Sequence, residues 1–171
     1  DRMNNLRRDL AAELITTKRY REAEQQLSTW LEASTDPPTR VRYLLALAES
    51  QRSQGNEQQA GATLERALVL QPTDMTLNND MAYLWIDQGV RLVEAEKLIR
   101  FSVGRAPRQA AYLDTYGGLL YKKGQFAEAK QWLSRANHAR GGKDPVIHDH
   151  LGDTFWRLGH SGEAIVHWST A

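Results

Sequence analysis

The 171-residue chain has no cysteine, few prolines and no long apolar run. Without cysteine it can form neither a disulfide bond nor a thiolate metal site. No segment approaches the roughly 20 apolar residues that span a bilayer. No targeting segment is present either, so we expect a soluble chain, and its compartment stays undetermined. These absences exclude a disulfide-stapled domain and a membrane-spanning protein.

The chain also has no large excess of basic over acidic residues, or of acidic over basic residues. The chain carries 22 basic and 21 acidic side chains, which gives a formal net charge of +1. The balance is similar before and after Pro72. Nucleic acids and anionic membranes are bound by concentrated basic faces. The composition therefore argues against either of them as the main partner.

The sequence does contain a repeated helical hairpin, and residues 110–136 are its clearest copy. Leu113, Tyr116 and Leu120 have the spacing of one face of a helix. Gly124 then supplies a break, because glycine takes a helix-ending conformation at little steric cost. A second apolar stripe at helical spacing follows the break. This pattern predicts two antiparallel helices that need similar neighbours to bury both stripes.

Copies of this hairpin recur at intervals of 34 or 35 residues, except that the loop after the first copy adds three residues. Gly117 and Gly124 return as Gly152 and Gly159, and we expect Gly117 and Gly152 to lie where two helices cross closely. In the first copy Lys18 replaces the turn glycine. The copies cover approximately residues 4–40, 41–74, 75–109, 110–144 and 145–171.

This repeat length and pattern resemble the tetratricopeptide repeat (TPR) family, and bacterial TPR proteins in particular. The residues that match the family pattern are Leu151, Gly152, Phe155, Ala164, Trp168, Pro72 and Pro107. The resemblance implies an all-α fold without strands. It would be a right-handed α-solenoid of about five hairpins, the last one truncated, in a single array over residues 1–171.

Several loop and cap signals mark the ends of the predicted helices. Proline and turn-forming residues predict a loop over residues 34–39, and Thr73 or Asp74 is the expected N-cap of the following hairpin. Residues 140–143 contain a Gly-Gly pair that predicts a flexible stop and not a phosphate-binding loop. Asp144 and the proline after it predict a capped helix start. The chain starts without methionine and stops inside its last predicted helix, so we expect it to be part of a longer protein.

One cluster of potential metal ligands occurs near the C-terminus: His148, Asp149, His150 and Asp153. The two histidines are two positions apart, so they point in different directions on a helix. We expect His148 to pack between helices and His167 to stay apart from the cluster. No spacing typical of a catalytic triad, an acid pair or a phosphate loop is present. The sequence therefore predicts no metal, no cofactor and no enzymatic activity.

The TPR resemblance implies that the first helix of each hairpin lines a concave surface. Side chains that project from these helices alternate aromatic rings with carboxylates towards the C-terminal half, and Asn79, Asp114 and Asp149 are equivalent in three copies. Such a surface suits peptide binding, and an ordinary solvated face is the alternative. The predicted groove residues are Arg42, Glu49, Arg52, Asn79, Tyr83, Asp87, Asp114, Gly118, Tyr121, Lys122, Asp149, Asp153, Trp156 and Arg157.

The resulting hypothesis is a non-catalytic module that binds a partner protein or peptide in this groove. The alternative is a structural or oligomerisation spacer within a larger protein. The clamp by which TPR co-chaperones hold acidic chaperone tails is absent, because its positions carry residues such as Ala12, Ala46 and Asp80. Ile165 and Trp168 would lack a following hairpin, so we expect weak self-association through the C-terminal helix.

Overall fold

The protein folds into ten α-helices, with no strand over residues 2–139 and 144–171, the parts that the computed structural model describes. The helices are α1 Arg2–Thr16, α2 Tyr20–Ala33, α3 Pro37–Ser53, α4 Glu57–Leu70, α5 Met75–Gln88, α6 Leu92–Arg105, α7 Ala110–Lys122, α8 Phe126–His138, α9 Pro145–Arg157 and α10 Ser161–Trp168. The predicted all-α fold of five helical hairpins is confirmed. The flexible stop predicted at 140–143 lies outside the described residues.

The chain divides into two compact units, one ending at Leu77 and the other covering Asn78–Ala171. The first unit contains α1–α4, and the second contains α6–α10 with most of α5. That all repeats form one continuous array stays a prediction.

Three helices, α3, α5 and α9, begin with a side-chain cap, and α3 starts earlier than expected. α3 begins at Pro37, and the Thr39 amide donates to Asp36 Oδ2 at 3.0 Å. Amides in the first turn have no partner within the helix, so proline is tolerated there. The expected loop through Thr39 is therefore wrong, because the loop ends at Asp36. The predicted caps by Asp74 and Asp144 are confirmed, since the side chain of each accepts main-chain N–H bonds.

The turns inside the hairpins use a left-handed residue. Gly124 has φ 76° and the corresponding glycines of three other hairpins have φ 69–80°. In the first hairpin Lys18 takes the same conformation, with φ 58°. A residue with a Cβ is strained in this region, whereas glycine is not. The first turn therefore keeps its geometry at an energetic cost, and the turn between α5 and α6 bears a similar cost at Arg91, with φ 48°.

Helices of one hairpin cross where the side chain is smallest. A Cβ added to Gly117 of α7 would lie 2.6 Å from Cγ of Leu133 in α8. One repeat later, a Cβ on Gly152 would overlap the indole of Trp168. The predicted crossing points are confirmed. Between hairpins, Ala110, Leu113, Leu133, Ala136, Ile147 and Leu151 form one buried cluster across α7, α8 and α9.

The two ends of the chain differ from expectation in detail. Trp168 was expected to face a missing neighbour, but its indole packs on Gly152 of its own hairpin and donates from Nε1 to Asp153 Oδ1 at 3.1 Å. The most exposed apolar side chains of α10 are Ile165 at 59% and Val166 at 64%. α10 ends at Trp168, so Ala171 lies beyond the expected helical stripe. In α1, Leu6 and Leu10 are exposed, whereas Leu14 is buried.

Candidate functional site

The first helices of the second unit share a cavity of about 210 Å³. Seven of the predicted groove residues line it: Tyr83 and Asp87 from α5, Asp114, Gly118, Tyr121 and Lys122 from α7, and Asp153 from α9. The sequence projection missed four further lining residues, which are Ile86, Thr115, Leu133 and His150. Small pockets for ligands span about 300–1,000 Å³, so this cavity suits one or two side chains and not a large ligand.

The remaining predicted residues of the second unit lie outside that lining. Asn79 is 8% exposed, and its amide donates to Asp80 Oδ1 at 3.2 Å. The Asn79 Oδ1 atom is buried and accepts no hydrogen bond in the described part of the chain. Asp149, Trp156 and Arg157 lie on the exposed surface of α9. The ring of Trp156 is 5.9 Å from that of Trp168.

A histidine–carboxylate pair joins two neighbouring repeats at the cavity wall. His150 Nδ1 lies 2.9 Å from Asp114 Oδ1, and Asp114 is buried. Burial alone lowers the pKa of His150. The hydrogen bond to Asp114 and the negative charges of Asp114, Asp153 and Asp149 outweigh burial, so the pKa lies above its usual 6.5. Asp114, the repeat equivalent of Asn79 and Asp149, thus contacts His150 of the next hairpin.

Lys122 and Tyr121 of the cavity are each held in position by neighbouring groups. Lys122 Nζ donates to the main-chain oxygen of Asp87 at 3.0 Å. The ring of Tyr121 packs edge-on against Phe126, with centroids 5.3 Å apart. The guanidinium of Arg157 lies 4.5 Å from the Phe126 centroid and 6.0 Å from that of Tyr121. The ring of Tyr121 is therefore preorganised, which reduces the entropy lost when a partner binds.

The first unit has its own cavity of about 300 Å³, formed mainly by α1 and α3. Two of the predicted groove residues, Arg42 and Glu49, line this cavity. Arg8 and Tyr43, which were not predicted, line it as well. The Tyr43 hydroxyl donates to Asn4 Oδ1 at 3.1 Å. The predicted residue Arg52 is half-buried on α3, and its Nη1 lies 3.8 Å from Glu49 Oε2. The groove residues were predicted from the second hairpin onward, beginning with α3, so the α1 side chains were not included.

Comparison with known proteins decides the family. A family model described as "Tetratricopeptide repeat" matches residues 8–166. The chain belongs to the tetratricopeptide repeat family. A TPR repeat-containing protein of Pseudomonas aeruginosa is 26% identical over 152 residues, which is 88% of this chain. The matched part is 25% of the length of that protein, so the chain spans about a quarter of it.

Solved TPR structures share the fold. PilW, a type IV pilus biogenesis factor, matches with a TM-score of 0.84 at 21% identity, over 99% of this chain and 76% of PilW. A thermophilic TPR protein of Thermus thermophilus matches with a TM-score of 0.78 at 18% identity, over 98% and 89% of the two chains. MamA from Desulfovibrio magneticus matches with a TM-score of 0.72 at 18% identity, over 97% and 91%. At these identities the likeness shows the fold alone.

A pair of histidines lies within the last TPR hairpin. His148 Nδ1 is 3.0 Å from His167 Nδ1, and the His167 ring stacks on Phe155 with centroids 5.3 Å apart. The expectation that His167 stays apart is therefore wrong, because α10 folds back onto α9. Burial, and then the neighbouring His148, lower the pKa of His167. Among the described residues, no three histidine or acidic side chains form a group that could hold a metal ion.

Within the described ranges, no helix combines the length and the apolar composition that crossing a bilayer needs.

Proposed function

We propose that this TPR chain is a non-catalytic interaction module whose second unit binds an extended segment of a partner protein in the cavity between α5, α7 and α9. The observation that carries the proposal is the convergence of Tyr83, Tyr121 and three carboxylates on one cavity. Aromatic anchors beside polar groups supply most of the binding energy in protein interfaces. TPR proteins as a family bind protein partners, which supports the general role.

The size of the cavity favours an extended segment over a docked helix. About 210 Å³ holds roughly seven water molecules at ~30 Å³ each. One long side chain of a partner fills such a volume, while its backbone passes over the rim. The half-buried Tyr83 and Tyr121 can bury apolar surface of that side chain and keep their hydroxyls at the rim.

Capture of partners by the wild-type chain and by Tyr83→Ala/Tyr121→Ala tests the proposal. The double variant should lose partners that the wild type retains. The matched control is Val93→Ala/Gln131→Ala, two exposed residues of α6 and α8, and it should keep them. Circular dichroism should first show equal helix content for all three proteins. Identical partner sets for wild type and the groove variant would contradict the proposal.

A structural role in assembly is the second candidate, and the exposed side of α10 favours it. Ile165 and Val166 present adjacent apolar side chains that are more than half exposed. We propose weak self-association through this edge. Trp168, which the sequence predicts to contribute, is held by its own hairpin and supplies only a partly exposed ring.

A further inference from the structure

We infer that the cavity between α5, α7 and α9 recognises an arginine side chain of the partner segment. This inference rests on the proposed function, and it specifies the chemistry of the occupant. Its observations are the charge of the lining, the position of the two tyrosines and the contrast with the cavity of the first unit.

The lining of the second-unit cavity is acidic. Asp87, Asp114 and Asp153 contribute three carboxylates, against the ammonium group of Lys122 and the imidazole of His150. Lys122 is directed to the main-chain oxygen of Asp87 at 3.0 Å. Asp114 is buried and bonded to His150, so Asp87 and Asp153 are the carboxylates exposed to a partner. A cation is the side chain that complements this lining.

Asp153 keeps acceptor capacity for such a cation. Its Oδ1 accepts the indole N–H of Trp168 at 3.1 Å. A carboxylate offers about four lone-pair sites, so one hydrogen bond does not exhaust it. The indole also fixes the orientation of the carboxylate, which lowers the entropy lost on binding.

Two tyrosines favour arginine over lysine. Tyr83 and Tyr121 line the same cavity as the carboxylates. A guanidinium is planar, stacks on aromatic faces and donates in a fork that fits carboxylates, whereas an ammonium is a strongly hydrated point charge. The chain itself already uses this chemistry nearby, where Arg157 lies 4.5 Å from the centroid of Phe126.

The cavity of the first unit has the opposite balance. Arg8 and Arg42 supply two guanidinium groups there, against the single carboxylate of Glu49. An arginine-bearing segment is therefore selected by the second unit and not by the first. Because the two cavities differ in charge, the first unit serves as an internal control. Binding to both units would indicate a general electrostatic attraction and not recognition by the second-unit cavity.

The test uses the full chain and an acetylated nine-residue Ser/Ala peptide with one central arginine. The comparison peptide replaces arginine by citrulline, which keeps the shape and removes the charge. NMR titration should give a Kd about tenfold lower for the arginine peptide, since charged hydrogen bonds contribute about 1.5 kcal/mol or more. Its amide shift changes should centre on Tyr83, Asp87 and Tyr121.

Two double variants distinguish recognition of arginine by the second-unit cavity from a general effect of the net charge of the chain. Asp87→Asn/Asp153→Asn should bring the ratio of the two Kd values close to one. Glu49→Gln/Glu13→Gln removes the same number of charges from the first unit and should leave the ratio unchanged. A lysine peptide should bind with an affinity between those of the arginine and citrulline peptides.

Three outcomes would overturn the inference. If both peptides bind the cavity equally, the site holds peptides without recognising arginine, and the proposed function stands. If neither peptide perturbs the cavity, the inference fails and the partner-capture experiment alone decides the proposed function. Loss of the arginine preference in the first-unit variant would equally refute it, because attraction would then be unspecific.

Discussion

Two adjacent glycines in α7 allow the helix-crossing geometry to be tested against an almost identical control. A Cβ on Gly117 would lie 2.6 Å and 2.7 Å from Cγ and Cδ2 of Leu133, and 3.3 Å from its main-chain nitrogen. A Cβ on Gly118 would meet only Ile86 Cγ2, at 4.0 Å. Both substitutions to alanine change helix propensity by the same amount. The difference between the two variants in the free energy of unfolding therefore reports on the close contact at Gly117.

The magnitude follows from two opposing terms. Replacing glycine by alanine inside a helix stabilises it by about 0.8–1.0 kcal/mol. Gly118→Ala should therefore raise the free energy of unfolding by up to ~1 kcal/mol. Gly117→Ala gains the same amount, but Leu133 is fully buried and cannot move into open space. Overpacking then costs about 1–3 kcal/mol, so the two variants should differ by about that amount.

Urea unfolding followed by circular dichroism at 222 nm measures this difference. The m-value should be the same for both variants, because the surface exposed on unfolding is unchanged. Adding Leu133→Ala should be less destabilising in the Gly117→Ala background than in wild type, with a coupling energy of about 1 kcal/mol or more. Equal stabilities for Gly117→Ala and Gly118→Ala, within about 0.5 kcal/mol, would refute the assigned crossing.

Three further predictions concern the first turn, the histidine–carboxylate pair and the last helix. Lys18→Gly should stabilise the chain by about 1 kcal/mol in urea unfolding, because it relieves a left-handed residue that carries a Cβ. In NMR titrations, Asp114→Asn should lower the pKa of His150, since the negative charge of Asp114, which raises that pKa and strengthens the hydrogen bond, is lost. Ile165→Glu should shift sedimentation towards monomer without unfolding the chain, since Ile165 is exposed.

The pH dependence of stability follows from the sign of the His150 shift. A folded pKa above the unfolded value near 6.5 means that protonation stabilises the native state. This stabilisation is fully present below pH 6.5 and is lost as the pH rises through the folded pKa. His167 has the opposite sign, because its lowered pKa makes protonation destabilising. A wild-type His150 pKa at or below 6.5 would contradict the assignment.

Controls for the other two predictions use the same measurements. Gly124→Ala should destabilise by about 1 kcal/mol, because it introduces the strain that Lys18→Gly removes. If Lys18→Gly is neutral, the turn conformation is not a source of strain. A wild-type chain that is strictly monomeric at high concentration would contradict self-association, and Val69→Glu, at another exposed apolar site in α4, should leave sedimentation unchanged.

Local features of the fold were predictable from the sequence. The turn at Gly124 and the cap at Asp144 depend on residues within a few positions of each other. The small residue at Gly117 and its recurrence at Gly152 indicated the crossing within each hairpin. Such signals are short-range, so the order and type of the helices could be predicted. The start of α3 at Pro37 was missed, because proline both ends one helix and suits the first turn of the next.

The contacts that shape the candidate site were decided by tertiary structure. Helical projection placed Asn79 on the groove face, yet packing buries it. The bond from Asp114 to His150 joins neighbouring repeats, and it depends on how far one hairpin is rotated against the next. Trp168 turns onto Gly152 because the crossing leaves room for its ring. Periodicity determines which side of a helix is apolar, but only the register between packed helices determines which side chains meet.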